Sequence, residues 1–355
     1  MTQKEIPVVE DFSGLQEEGV EPELLTELTF STAKWGIFAA AVENGIFERL
    51  RDKPLTADQV ARSGAPDGYD PVLTHYVLDA LVGLRLLRKN RQEETYALTP
   101  TARFFLGSWG FMMPSTEGTF WNRLSRMMKG ERLDPPPGFQ AGRYGPDWSQ
   151  EAIQRYMALR ALGGEFHQTC ELLERTRIFE RARRLLDLAG GHGLFAIGFL
   201  KRYPALEAAI LELPEVLPVT APYLKAYGLE GRIPVMAGDV YKDPIPEGFD
   251  VIFVSNLSPP RSAVEPLFRK IYEALPEGGV FVYKDIVPRK DWSEAFYPLA
   301  HKLVITTSLG DSRYCGQWPP TAQEARAAMK AVGFHKTRFL GWIDRWCTVS
   351  AGWKL

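Results

Sequence analysis

At 355 residues, with 45% hydrophobic and 24% charged side chains, the chain is long enough for two globular domains with full cores. A formal net charge of -2 supplies no broad basic field for nucleic acid or an anionic membrane surface, which leaves small molecules or a second copy of the chain as expected partners. Cys170, Cys315 and Cys347 are odd in number and far apart, so neither a disulfide framework nor a zinc knuckle is expected, and a reducing cytoplasm is the expected location. No apolar run approaches the roughly 20 residues of a membrane span, and the acidic stretch MTQKEIPVVEDFSGLQEEGVEPE reads as no export signal.

From Leu24 to about Leu106 the pattern predicts short helices and a terminal hairpin. TFSTAKWGIFAAAVENGIFERL reads as an amphipathic helix ending at Asn44-Gly45, LTADQVARSG as a short helix capped by Thr56, and DPVLTHYVLDALVGLRLL as a longer one. LLRKNRQEETYALT then reads as two strands around a polar turn, completing a winged-helix arrangement. Its third helix exposes mostly apolar and neutral residues, with Arg85, Arg88 and Lys89 only at the end, which argues against reading DNA. The apolar first helix predicts burial against a second subunit.

A connector follows, rich in aromatics and Met and interrupted by the Pro/Gly loop LDPPPGFQAGRYGP. Most of Trp109, Phe111, Met112, Met113, Trp121, Met127 and Met128 are expected to pack between domains. The sharper expectation is that Trp121 and Met127, with Met157 and His167 further on, wall a flat aromatic substrate. The expected domains are therefore 1–106, a connector over 107–183, and 184–355.

After Arg184 short buried strands alternate with helices: RLLDLAG, EAAILEL, IPVMAGD, FDVIFVSN and GGVFVYKDIV, then KTRFLGWI and CTVSAGWK as a closing hairpin. Such alternation means an α/β fold with a parallel sheet covered on both faces and ligands at the carboxyl ends of its strands. The stretch LLDLAGGHGLFAIGFL turns a buried strand tightly into a helix whose first amides are free. Glu212, with Leu213 after it, ends the second strand, where an acid can accept both hydroxyls of a ribose. Asp239 ends the third, with Val240 and Tyr241 placed beside an adenine ring. Asp187 stands just before Gly190, Gly191 and Gly193. An acid there would repel a pyrophosphate but suits the cationic amino end of S-adenosylmethionine.

With these motifs in place, the chain resembles the class I S-adenosylmethionine-dependent O-methyltransferases that include caffeate, acetylserotonin and polyketide-tailoring enzymes. The resemblance runs from AAAVENGIFERL, LTADQVA and YALT through RYMALR to LLDLAGGHG, LELPEV, AGDVY, YEALPEGG and AVGF. It implies a Rossmann-like seven-stranded methyltransferase domain behind an N-terminal all-α winged-helix dimerisation domain. It also implies a homodimer, a small aromatic or macrocyclic acceptor, S-adenosylhomocysteine as product, and Asp187, Gly191, Gly193, Glu212 and Asp239 on the cofactor. Ala189 stands where the family has the first glycine of the turn, and the turn is expected to survive it.

The family places a His-Asp base pair after the fourth strand; this chain reads VSNLSPPRSAVEPLF there, in a shorter loop. Asn256 and Ser258 are no useful bases near neutral pH and are expected to cap the strand end and line the pocket, with Asn256 a candidate for the cofactor and Ser258 a candidate catalytic residue. Among the five histidines, His75 and His335 lie away from the expected site, and His192 sits inside the glycine turn. His301, on the helix after the fifth strand in DWSEAFYPLAHKLVITTSLG, is the best candidate to assist proton loss, with Tyr297 nearby. The LAH context resembles the LSH of the bacteriochlorophyllide meso-carbon methyltransferase branch, which would imply a ring-carbon acceptor. No metal site is expected. Two other readings stand beside methyl transfer: a relative that holds S-adenosylmethionine while catalysing a decarboxylation, hydroxylation or pericyclic step, and a DNA-binding ligand sensor.

Overall fold

The computed structural model describes residues 22–64, 68–103, 122–135, 141–142, 144–287, 296–310, 319–343 and 347–355. Residues 148–287 and 318–355 form one compact unit; 23–147 and 288–317 form the other.

In the N-terminal unit, α1 (Pro22–Glu43) and α2 (Ile46–Arg49) are separated at Gly45, whose φ of 60° suits a residue without a side chain. Thr56 ends the two-residue strand β1 (Leu55–Thr56) and starts α3 (Ala57–Arg62) with a capping box, its hydroxyl accepting from Gln59 N while the Gln59 side chain accepts from Thr56 N. Asp70 caps α4 (Pro71–Gly83) by accepting from Leu73 N at 2.9 Å. The expected hairpin is present as β2 (Leu87–Asn90) and β3 (Thr95–Leu98), and β1 joins it to make a three-stranded sheet in the order β1-β3-β2. The unit is thus helical with a small sheet, and continues through α5 (Asn122–Met128) and the short pair β4 (Ala141–Gly142) and β5 (Gly145–Pro146).

The second unit opens with α6 (Glu151–Arg160), a π-helical turn at Ala161–Glu165, α7 (Phe166–Glu174) and α8 (Ile178–Arg181). The alternation read in the sequence follows: β6 (Arg184–Leu188), α9 (Leu194–Arg202), β7 (Glu207–Glu212), α10 (Leu217–Ala226), β8 (Val235–Ala237), β9 (Val251–Ser255), α11 (Arg261–Ala274) and β10 (Val280–Ile286). The helix α12 (Phe296–Leu309) packs on α4 in the N-terminal unit. Then α13 (Ala322–Ala331), β11 (Lys336–Ile343) and β12 (Cys347–Trp353) complete the seven-stranded sheet, in the order β11-β12-β10-β9-β6-β7-β8. Strands β6 to β10 are parallel and the terminal hairpin is antiparallel. No described helix is long and apolar enough to cross a membrane.

Both sheet faces are dry. Leu186, Leu188, Ile252, Val254 and Phe281 pack with Phe268 and Phe334 on one side. On the other, Phe253 meets Phe195 and Phe199, which in turn touch Phe166. From β6 the chain winds outward through β7 and β8, then crosses back to β9 on the opposite flank of β6. That reversal opens a crevice at the carboxyl ends of β6 and β9, where ligands bind in such sheets.

The turn after β6 forms despite Ala189, which holds φ at 59° alongside Gly191 at 53° and Gly193 at 76°. A left-handed conformation costs an L-residue with a side chain roughly 1 kcal/mol. Ala189→Gly is therefore expected to raise unfolding stability by about 1 kcal/mol in urea melts; an unchanged or lowered midpoint would show that the turn carries no such strain.

Candidate active site

Three carboxylates stand at the ends of three neighbouring strands. Asp187, 1% exposed on β6, accepts from Ala196 N at 3.2 Å, which ties the strand to the first turn of α9. Burial pushes its carboxyl up to about 7, and neighbouring Glu212 adds to the shift. Glu212, the last residue of β7, accepts from Gly191 N at 2.8 Å and Leu213 N at 2.7 Å, so it braces the glycine turn from below. Burial raises its pKa against those two bonds. Asp239, beyond β8, accepts from Tyr241 N at 3.0 Å, and Lys242 Nζ stands 3.5 Å from its second oxygen. Val240 beside it is buried and Tyr241 half-buried.

The turn has no room for larger residues. A Cβ on Gly190 would lie 3.0 Å from Asp187 Cγ, and one on Gly193 would lie 3.0 Å from Ile210 Cδ1. Thr220 Oγ1 donates to Gly191 O at 2.6 Å. The His192 ring is buried, and Nδ1 accepts from Leu194 N at 3.0 Å, capping α9 while the ring also hydrogen-bonds the Met157 backbone. Burial lowers its pKa to about 4, so it stays neutral. A turn lined by Asp187 and Glu212 fits a ligand that brings a cation there and hydroxyls beyond it; it does not fit a pyrophosphate.

Beyond β9 the chain takes left-handed conformations at Asn256 (φ 54°) and Ser258 (φ 49°). Asp285 on β10 holds this loop. Its carboxylate accepts from Ser258 Oγ (2.8 Å), Ser258 N (2.7 Å), Tyr283 Oη (2.7 Å) and Ile286 N (2.7 Å). Ser258 therefore spends its hydroxyl proton on Asp285, as a loop anchor. Lys284, fully buried, donates to Glu165 Oε2 at 2.8 Å and Asn256 Oδ1 at 3.0 Å. Arg160 pairs with the other oxygen of Glu165 and approaches Cys347 Sγ at 3.7 Å. Burial opposes ionisation of Glu165, but Arg160 and Lys284 outweigh it and hold the carboxyl at about 2.

Asp187, Gly190, Gly191, Gly193, Glu212 and Leu213 thus come together, with Asp239, Val240 and Tyr241 at the next strand end and Asn256 across the β6/β9 crevice. Met157 on α6 and His167 on α7 are half-buried in the same unit, the His167 ring edge-on to Phe166 at 5.6 Å. Met127 on α5 is buried in the N-terminal unit. Tyr297 and His301 lie on α12, but their side chains, like all of Trp121, are outside the described residues. The sequence reading missed Arg160, Glu165, Lys284, Asp285 and Gln154; the last donates to Trp148 O and packs 3.0 Å from where a Gly191 Cβ would stand. Two adjacent charges in the otherwise apolar GGVFVYKDIV were the available signal, since a strand covered on both faces holds charges only with partners.

Fold and strand-end acids define a class I methyltransferase. The O-methyltransferase dimerisation domain matches residues 26–108 and the O-methyltransferase domain matches residues 156–326. The chain belongs to this O-methyltransferase family and is an S-adenosylmethionine-dependent enzyme. An uncharacterised protein of Methanocaldococcus jannaschii is 36% identical over 139 residues, a match spanning 39% of this chain and only 37% of that one. The N,N-dimethyltransferase OxyT of Streptomyces rimosus is 28% identical over 87% of this chain and 90% of its own. The 3-hydroxy-5-methyl-1-naphthoate 3-O-methyltransferase of Streptomyces sahachiroi is 25% identical over 79% and 82%. An O-methyltransferase family 2 protein of Planctomyces limnophilus, solved in complex with apigenin, shares the fold at a TM-score of 0.69 and 21% identity, covering 96% of this chain and 98% of that one.

The buried Asp187 sets a pH dependence. Below its ordinary value of 3.8 both folded and unfolded chains carry the proton, so stability does not change with pH through this group; between there and about 7 only the folded chain does. Stability present at low pH is thus lost as pH rises, by up to about 1.4 kcal/mol per pH unit, and levels off above the folded value. Asp187→Asn cannot ionise and lacks this slope. Urea unfolding across a pH series should show wild type losing ground to the variant until about pH 7, then a constant gap; parallel curves throughout would contradict the assignment.

Proposed function

We propose that this enzyme transfers the methyl group of S-adenosylmethionine to an oxygen or ring carbon of a small aromatic or macrocyclic acceptor, releasing S-adenosylhomocysteine, without a His-Asp base pair after the fourth sheet strand. The observation that carries this reading is the convergence of Asp187, Glu212 and Asp239, at successive strand ends, on a glycine turn with an acidic lining. In it Asp187 takes the amino group, with Gly190, Gly191 and Gly193 leaving room for the backbone to approach. Glu212 and Leu213 take the ribose hydroxyls, Asp239, Val240 and Tyr241 the adenine, and Asn256 forms the wall across the crevice.

When bound, the sulfonium supplies a methyl group already activated for in-line displacement. The chain's own task is to exclude water and to hold the acceptor collinear at near-contact distance. His301, with Tyr297 one helical turn before it, is the residue proposed to assist proton loss, a contribution of about 10²–10⁴-fold. Trp121, Met127, Met157 and His167 are proposed to wall the acceptor. The Streptomyces sahachiroi relative, named for a hydroxynaphthoate oxygen, supports an aromatic acceptor. The dimerisation domain over 26–108 supports a homodimer.

A second reading keeps the cofactor unconsumed while another reaction occurs, and the stretch Asn256-Leu257-Ser258 after β9, with its hydroxyl spent on Asp285, is what favours it. Incubation with S-adenosylmethionine carrying a labelled methyl group and a panel of phenols, quinones and tetrapyrroles separates the two. Methyl transfer predicts labelled product and S-adenosylhomocysteine in equal amounts, reduced about 10²–10⁴-fold in His301→Ala. Acceptor converted with no label moved would overturn it in favour of the second reading.

A further inference from the structure

The side chains that hold the glycine turn supply acceptors and no cation. Asp187 accepts from Ala196 N, and Glu212 from Gly191 N and Leu213 N; among the described residues neither carboxylate pairs with a Lys, Arg or His side chain. Buried acids without a basic partner leave a place that a cationic group of a ligand can fill.

Gln154 brings a third acceptor from outside the sheet. It lies on α6 and is 4% exposed. Its Nε2 donates to Trp148 O at 2.8 Å. A backbone carbonyl only accepts, so the carboxamide has one orientation open to it: nitrogen toward Trp148, oxygen away. That oxygen comes down on the turn, 3.0 Å from where a Gly191 Cβ would stand, while a Cβ on the neighbouring Gly190 would stand 3.0 Å from Asp187 Oδ2. The two consecutive glycines thus lie each against one acceptor, and a side chain at 191 would push the amide off the turn. Among the described residues nothing donates to Gln154 Oε1, and it is not one of the fully enclosed polar atoms, so a ligand on the turn can reach it. The tie to Trp148 needs only the nitrogen; a buried amide oxygen left without a donor is costly unless something completes it.

The helix that carries Gln154 is itself fixed to the turn. The His192 ring hydrogen-bonds the Met157 backbone, and its Nδ1 accepts from Leu194 N at the start of α9. Gln154 and Met157, three residues apart, share a face of α6. The place of Gln154 over the turn is therefore set on both sides of it along the chain, at Trp148 before and Met157 after.

Resting on the methyltransferase reading above, we propose that Gln154 is a cofactor-binding residue whose Oε1 accepts a hydrogen bond from the ammonium group of S-adenosylmethionine, alongside Asp187. The amino-acid end of the cofactor is then gripped twice, by the sheet through Asp187 and by α6 through Gln154. A neutral acceptor suits the second place, because beside Asp187 and Glu212 a carboxylate would add a third buried acid. Fixing the ammonium at two points fixes the chain that leads to the sulfur, and with it the direction in which the S–CH3 bond faces the methyl acceptor.

The test compares two probes on the full-length protein by calorimetry: S-adenosylhomocysteine, and its analogue with hydrogen in place of the amino group. Wild type is expected to bind S-adenosylhomocysteine at least about tenfold more tightly than the analogue. Gln154→Leu should weaken S-adenosylhomocysteine about tenfold while the analogue changes less than about twofold, and Gln154→Met should do the same. Damage from losing the Trp148 tie would weaken both probes alike, so the analogue reads it in the same variant. Equal losses for the two probes, an unchanged S-adenosylhomocysteine affinity in both variants, or a wild type that does not distinguish the probes overturns the proposal. Failure of the wild type to bind S-adenosylhomocysteine at all would instead overturn the methyltransferase reading on which the proposal rests.

Discussion

A parallel sheet covered on both faces has no polar surface of its own, so whatever chemistry it performs must be gathered at its ends. Here the reversal of winding between β6 and β9 decides which end and which gap. Every polar residue of the site is a consequence of that position. Asp187, Glu212 and Asp239 lie on one flank, Asn256, Lys284 and Asp285 on the other. The aromatic packing of Phe166, Phe195, Phe199 and Phe253 beneath them keeps the floor dry. Dryness is what raises the carboxyls of Asp187 and Glu212 and makes each hydrogen bond in the crevice strong.

The same dryness makes the site expensive to fold. A carboxyl held near 7 and a histidine held near 4 are both kept from the ionisation they would adopt in water. Glu212 accepts one bond on each oxygen, from Gly191 N in the turn and from Leu213 N, and His192 Nδ1 accepts from Leu194 N as the cap of α9. The glycine turn is therefore a prepaid structure: its shape is set by buried acceptors before any ligand arrives, which is the arrangement that preorganised binding requires.

Much of this was legible because it is local. The strand-turn-helix of LLDLAGGHGLFAIGFL, the acid ending each of the next two strands, the cap at Thr56 and the closing hairpin all declare themselves locally in the sequence. The Glu165–Lys284 contact joins residues 119 positions apart, and no periodicity encodes it. The π-helical turn that delivers Glu165 depends on Gly164 at φ 136°, in a stretch that reads as one continuous helix. The third strand of the N-terminal sheet, Leu55–Thr56, is too short to show any alternation. What the sequence could not say of His192 is that its ring would act as the cap of α9.

The four donors gathered on Asp285 bear on how such a loop can change over generations. A histidine at position 258 would remove the hydroxyl that Asp285 accepts and would have to adopt the left-handed backbone that Ser258 holds at φ 49°. Asp285 would keep Tyr283 and Ile286 but lose part of its anchor in the same step. A single codon change toward a histidine base thus begins by loosening the loop that must present it. Substitutions that reshape the crevice while sparing Ser258 and Asp285 leave that anchor intact.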